Sequence, residues 1–166
     1  MKTLFRTILY LCCIVWLGAE IFFPVVAAFT FGTLSPDTHT AGIIVGGLLH
    51  ILHNVGMISA IVAIALLALT PAWGIYKPRE ALSAIALLVV MFALTAYSQF
   101  AITTTMEKDR IAAGGDINRA APENPARIDF QRLHLRSEHV EEVILFAGLL
   151  VVALVAHAES EPPAPK

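Results

Sequence analysis

Residues 40–70 read TAGIIVGGLLHILHNVGMISAIVAIALLALT, a run that contains no aspartate, glutamate, lysine or arginine. A helix needs about 20 apolar residues to cross a hydrocarbon core about 30 Å thick, so this run spans a bilayer with length left over for tilt. Three further blocks have the same character. Upstream, residues 7–29 are apolar apart from Glu20 and follow Lys2 and Arg6. A secretory signal is the competing reading of that block, but its apolar length exceeds the 7–15 residues of a signal core and Glu20 interrupts it, so a retained helix is expected. Downstream, Pro78 suits a first helical turn, and no charge falls between Ala81 and Met106. The last block is apolar from Val143 to Ala156 and extends upstream through Val140, Glu141 and Glu142. It is short for a span, which places its outer turn in the headgroup region.

The expected fold is therefore all-α: one four-transmembrane-helix bundle over residues 1–158, with helices about 7–29, 40–70, 78–113 and 127–157. The chain turns at Gly32–Thr38, at Thr70–Gly74 and between Gly114 and Pro125. Helical periodicity continues through Met106–Ala113 and resumes at Ile128, so the third and fourth helices should extend beyond the membrane as a hairpin. Residues 159–166, with three prolines, are expected to be a disordered tail.

Composition agrees with this reading. The 166 residues are 57% hydrophobic and 14% charged, with a mean hydropathy of +0.74 and a net charge of −2. That balance excludes a disordered chain, a disulfide-stapled domain and most soluble enzymes, and it offers no basic field for nucleic acid. Cys12 and Cys13 are adjacent within an apolar run and lack metal-ligand spacing, so they read as small buried hydrophobes. Lys2, Arg6, Lys77 and Arg79 favour cytoplasmic termini in a cell (inner) membrane, against six basic residues in the third loop. The expected partners are the lipid bilayer and a further copy of the chain.

Four polar residues fall where hydrocarbon should be: Glu20, His50, His53 and Asn54. An ionisable group at the bilayer centre costs about 2.5–3.5 kcal/mol on insertion scales, so such groups usually face the bundle interior and have a role. Counting helical rise inward from Phe29 and from Ala41 puts Glu20 and His50 at one depth, about 13 Å in. The two are expected to meet. On the second helix Gly42, Gly46, His50, His53 and Met57 form a stripe whose small residues suit close approach of another backbone. Thr95, Ser98, Gln99 and Ile102 make a polar stripe on the third helix. Phe130, Leu133, His134 and Ser137 make the matching face entering the fourth. Glu141, Glu142 and His139 are expected at the headgroup boundary. The bland alternative is interhelical hydrogen bonding, worth about 0.6–2 kcal/mol per contact.

Several strings carry a family resemblance. Trp16-Leu17-Gly18-Ala19-Glu20-Ile21-Phe22-Phe23 with Val26-Ala27, and Ala41-Gly42-Ile43, resemble the first two spans of the transmembrane protein 205-like family, a domain of unknown function. Met91-x-x-Leu94-Thr95-x-Tyr97-x-x-Phe100 and Phe130-x-x-Leu133-His134-x-x-Ser137 resemble its third span and the entry to its fourth. The resemblance implies a four-helix membrane protein without an agreed biochemical activity. A fainter similarity of architecture links such proteins to copper-resistance membrane proteins and haem-associated protoporphyrinogen oxidases. No motif here carries their cofactor ligands over.

Three functions follow from these residues. The first is a non-enzymatic bundle whose Glu20/His50 centre binds or conducts a small cation, proton or metal, with Glu20, His50 and His53 as ligands for a transition metal. The second is a haem-binding membrane oxidoreductase, with haem held between His50 and His134. The third is a scaffold that docks partners through the hairpin 106–136. The chain contains no nucleotide loop, nucleophile–base pair or His-Glu-x-x-His helix, which favours a non-enzyme.

Overall fold

The computed structural model describes residues 2–160, all of whose regular structure is helical. Helix α1 spans Lys2–Thr33 and α2 spans Thr38–Leu69. Helix α3 runs Pro78–Ala112, and α4 runs Pro125–Ser160. All four are long and apolar enough to cross a membrane.

Local chemistry sets the ends. Asp37 caps α2, its carboxylate accepting from the Thr40 amide at 3.0 Å. Pro78 opens α3, and Glu80 reaches back to the Lys77 amide at 3.2 Å, closing a capping box. Gly114 and Gly115 end α3 with φ of 91° and 93°, a region other residues rarely enter. Asn124 accepts from the Ala126 amide at 2.9 Å and so caps α4 beside Pro125.

Consecutive helices pack as antiparallel neighbours, and α4 returns to α1. Two glycines fix the closest approaches. A Cβ at Gly56 would lie 2.5 Å from the Trp16 Nε1, so α2 lets the α1 indole lie against its backbone. A Cβ at Gly148 would lie 3.0 Å from Leu17 and 3.2 Å from Met91, so α1, α3 and α4 converge there. Gly42 and Gly46 do not play this part. Nothing lies within 4 Å of a Cβ at either, so the small-residue stripe opens away from the bundle.

The apolar core fills the half of the bundle nearer the termini, with Phe5, Leu9, Leu67, Leu88, Met91, Ile144, Val151 and Val155 in one cluster. Isoleucines, leucines and phenylalanines such as Phe22, Ile51 and Phe146 cover the outside, as expected of a surface solvated by acyl chains. In α1 burial stops at Glu20. The hairpin tip meets the first loop, where the Asn118 amide donates to the Thr38 hydroxyl at 3.0 Å and His39 lies 3.6 Å from Asp116.

Glu159 and Ser160, expected in the tail, are helical, and residues 161–166 of that expectation lie outside the described residues. Glu159 is held by Arg6 at 3.0 Å and by the Tyr76 hydroxyl, which donates at 2.5 Å. Burial, and then the Glu159 carboxylate, push the Tyr76 phenol above its usual value of 10.0. A phenol with a raised folded-state value contributes stability that is fully present below the unfolded value and is lost as pH rises through the folded one. Thermal unfolding in detergent between about pH 8 and pH 11 should show the wild type losing stability above about pH 10 more steeply than Tyr76→Phe. An equal slope in both proteins would contradict this contact.

Candidate functional site

Trp16 against Gly56 sets the register of α1 and α2. One turn further along α1, Glu20 therefore stands opposite Leu52 and His53, not His50. Glu20 is 5% exposed and accepts the Trp16 indole N–H at 3.1 Å. Its charge is within electrostatic reach of His53 and Glu141. The expected Glu20–His50 contact is not formed, because burial of Trp16 and Gly56 turns the His53 face of α2 inward.

His53 is completely buried and both of its ring nitrogens are engaged. Nδ1 lies 2.7 Å from the Gln99 Oε1, and Nε2 lies 2.9 Å from the Glu141 Oε1. The Ser98 hydroxyl donates to that same Glu141 oxygen at 2.8 Å. The amide nitrogen of Gln99 contacts the His50 Nδ1. One chain of contacts thus runs His50–Gln99–His53–Glu141–Ser98 across α2, α3 and α4, with Glu20 of α1 beside it. The other Glu141 oxygen, Oε2, is buried and has no hydrogen-bond partner among the described residues.

Helix α3 presents Ser98 and Gln99 from a π-helical segment, Ser98–Thr103. The Thr103 and Thr104 hydroxyls donate to the carbonyls of Ser98 and Gln99, five residues back, satisfying groups that the wider turn frees. Ser98, Gln99 and Ile102 are buried there, with Thr95 one turn earlier donating to the Met91 carbonyl at 2.9 Å. Helix α4 contributes Glu141 from a stripe of inward residues: Leu133, Ser137, Ile144, Gly148, Val151 and Val155.

The other sequence candidates lie elsewhere. His50 is exposed at the edge of α2, with Gln99 as its contact. Asn54 is exposed on the outer face of α2, away from the site. His134 is exposed, 3.3 Å from Glu138 one turn along its own helix, so it does not face His50 across a haem-sized gap. Ser137 is buried one turn from Glu141. No group of three or more His, Cys, Asp or Glu that could hold a metal ion is present among the described residues, so Glu20, His50 and His53 are not gathered as ligands. Glu141, expected at the headgroup boundary, is the α4 residue that contacts His53. Its sequence signal was the stripe, since positions 133, 137, 141, 144 and 148 follow one another at three- and four-residue steps.

The donor inventory constrains the protons. An imidazole lone pair and a carboxylate oxygen repel at 2.9 Å, so one proton lies between His53 and Glu141, on either atom. That contact can exist as a neutral acid–imidazole pair or as an ion pair without moving a heavy atom. Such a site can accept, hold and release a proton.

Four apolar helices around an inward-facing polar layer define a small integral membrane protein. Residues 11–111 match the model of a family described as a domain of unknown function, DUF4149, and the chain belongs to that family. No curated protein and no solved structure matches the chain. The matched stretch holds Glu20, His50, His53, Ser98 and Gln99, whereas Glu141 lies beyond it.

Proposed function

We propose that this protein binds a proton at the His53–Glu141 pair and passes it through the membrane-embedded polar layer with Glu20. The observation that carries the reading is a fully buried imidazole 2.9 Å from a carboxyl oxygen, one proton between them, with a second carboxyl in electrostatic reach. Imidazole changes charge near neutral pH, and ionisable chains inside membranes mark proton pathways. A proton is favoured over a metal because the site offers no cluster of three ligand groups among the described residues. We place the termini on the cytoplasmic side, on the strength of Lys2, Arg6, Lys77 and Arg79 flanking the short segments. The motifs around Phe100 and Leu133 support kinship with the transmembrane protein 205-like family.

Proteoliposomes containing a pH-sensitive dye, driven by a potassium diffusion potential, test this function. Wild type is expected to acidify or alkalinise the lumen at least about ten-fold faster than empty liposomes, with Glu141→Gln and His53→Leu at the empty-liposome rate. Asn54→Leu, on the outer face, should match wild type. Wild type at the empty-liposome rate would overturn the proposal.

A further inference from the structure

The Gln99 side chain touches two histidines at once, and an amide has one accepting end and one donating end. Its oxygen faces the His53 Nδ1, which must therefore carry a hydrogen. Its nitrogen donates to the His50 Nδ1, which must therefore be bare. Rotating the amide by half a turn reverses both requirements. We infer that Gln99 is an amide switch that makes Nδ1 protonation of His50 and His53 mutually exclusive, coupling an exposed imidazole at the edge of α2 to the buried pair. The inference rests on the proposed proton function and names the residue that positions the proton within it.

Two states have the same number of protons. In the inner state, His53 bears Nδ1–H and shares a second proton with Glu141, while neutral His50 bears only Nε2–H. In the outer state, His53 keeps a single proton on Nε2, donated to the Glu141 carboxylate, and His50 bears both. Three protons are present in each, so conversion moves one between His50 and the His53–Glu141 pair, and the Gln99 oxygen follows the Nδ1–H. The groups facing His53 are Glu20 from α1, Gln99 from α3 and Glu141 from α4, with the Ser98 hydroxyl on the Glu141 oxygen; Gln99 is the contact of His50. Any mixed state turns a donor onto a donor or a lone pair onto a lone pair. At a buried site that mismatch disfavours the state about five- to 150-fold.

His50 is the suitable outer end. Its ring is exposed at the edge of α2. His53 has no comparable access, being 0% exposed.

Nitrogen-15 NMR of histidine-labelled protein in lipid nanodiscs, with His50 and His53 assigned by single substitutions, reads which ring nitrogens bear hydrogen as pH is lowered. In wild type, the fractions of molecules bearing His53 Nδ1–H and His50 Nδ1–H should sum to about one while the three protons are retained, and their ratio should not change with pH over that range, because the two states bind equal numbers of protons. At most about one molecule in five should carry both at any pH. Gln99→Glu replaces the donating end by a second acceptor at nearly the same size, and both Nδ1 positions should then be protonated together. Gln99→Leu should leave the two histidines titrating independently. Simultaneous Nδ1 protonation in wild type, or exclusion that persists in Gln99→Glu, would overturn the switch. Exclusion in wild type without liposome flux leaves the switch standing and removes the proton-passage function; flux without exclusion does the reverse.

Discussion

Replacing His53 by leucine is expected to destabilise the protein by about 3–5 kcal/mol, the largest loss of any single change in the polar layer. The imidazole satisfies the Gln99 oxygen and faces Glu141, and it is the one fully buried histidine among the described residues. Leucine fills a similar volume but leaves a carboxyl with only the Ser98 hydroxyl on Oε1 and a buried amide oxygen with no donor. Truncating one member of a buried pair costs more than removing both. His53→Leu/Glu141→Leu should therefore recover most of the loss, with a coupling of about 2–3 kcal/mol in the cycle. Asn54→Leu, at an exposed position away from the network, should stay within about 0.5 kcal/mol of wild type. Chemical unfolding in mixed micelles of wild type, His53→Leu, Glu141→Leu, the double variant and Asn54→Leu measures these terms. A His53→Leu loss no greater than that of Asn54→Leu would place the imidazole outside the network.

The second large effect has the opposite sign. Glu20→Leu should stabilise the protein by about 1–3 kcal/mol, because it removes a carboxyl from an apolar interior at the cost of one indole hydrogen bond. The same substitution should reduce proton flux to the empty-liposome rate. A change that strengthens the fold while abolishing activity marks a residue retained for function. Glu20→Gln separates the two roles, since it keeps the Trp16 contact and removes the ionisable group. Flux unchanged in both variants would exclude Glu20 from the pathway.

The membrane topology was legible because it depends on composition over long windows. Four apolar blocks separated by turn residues can form little else in lipid. The helix ends were less legible. Helix α1 is already formed at Lys2, upstream of the expected Thr7, and there Lys2 and Arg6 find partners in the Gly74 carbonyl and Glu159 that no local pattern announces. The inward face of α2 could not be chosen from periodicity, as that helix is apolar nearly all round. The choice falls to Trp16, whose ring needs the bare backbone of Gly56, and it turns His53 in and Asn54 out. Counting depth from apolar ends then paired Glu20 with His50, when the register set by Trp16 pairs it with His53. The sequence assigns Glu141 to the headgroup boundary because the apolar run resumes only at Val143, although the inward stripe of α4 passes through position 141. The polar stripe of α3 could be read directly from Thr95, Ser98, Gln99 and Ile102, since three- and four-residue spacing survives the π-helical segment.

The account stands on a proton held between an imidazole of α2 and a carboxyl of α4. Infrared difference spectroscopy of the protein in lipid, recorded across a pH step with histidine labelled by nitrogen-15, tests this most directly. The account predicts a carboxyl band that disappears in Glu141→Gln, accompanied by imidazole bands that shift with the label and vanish in His53→Leu. Imidazole bands left unchanged by Glu141→Gln would show that the two groups share no proton, and the proposed function would fall with them.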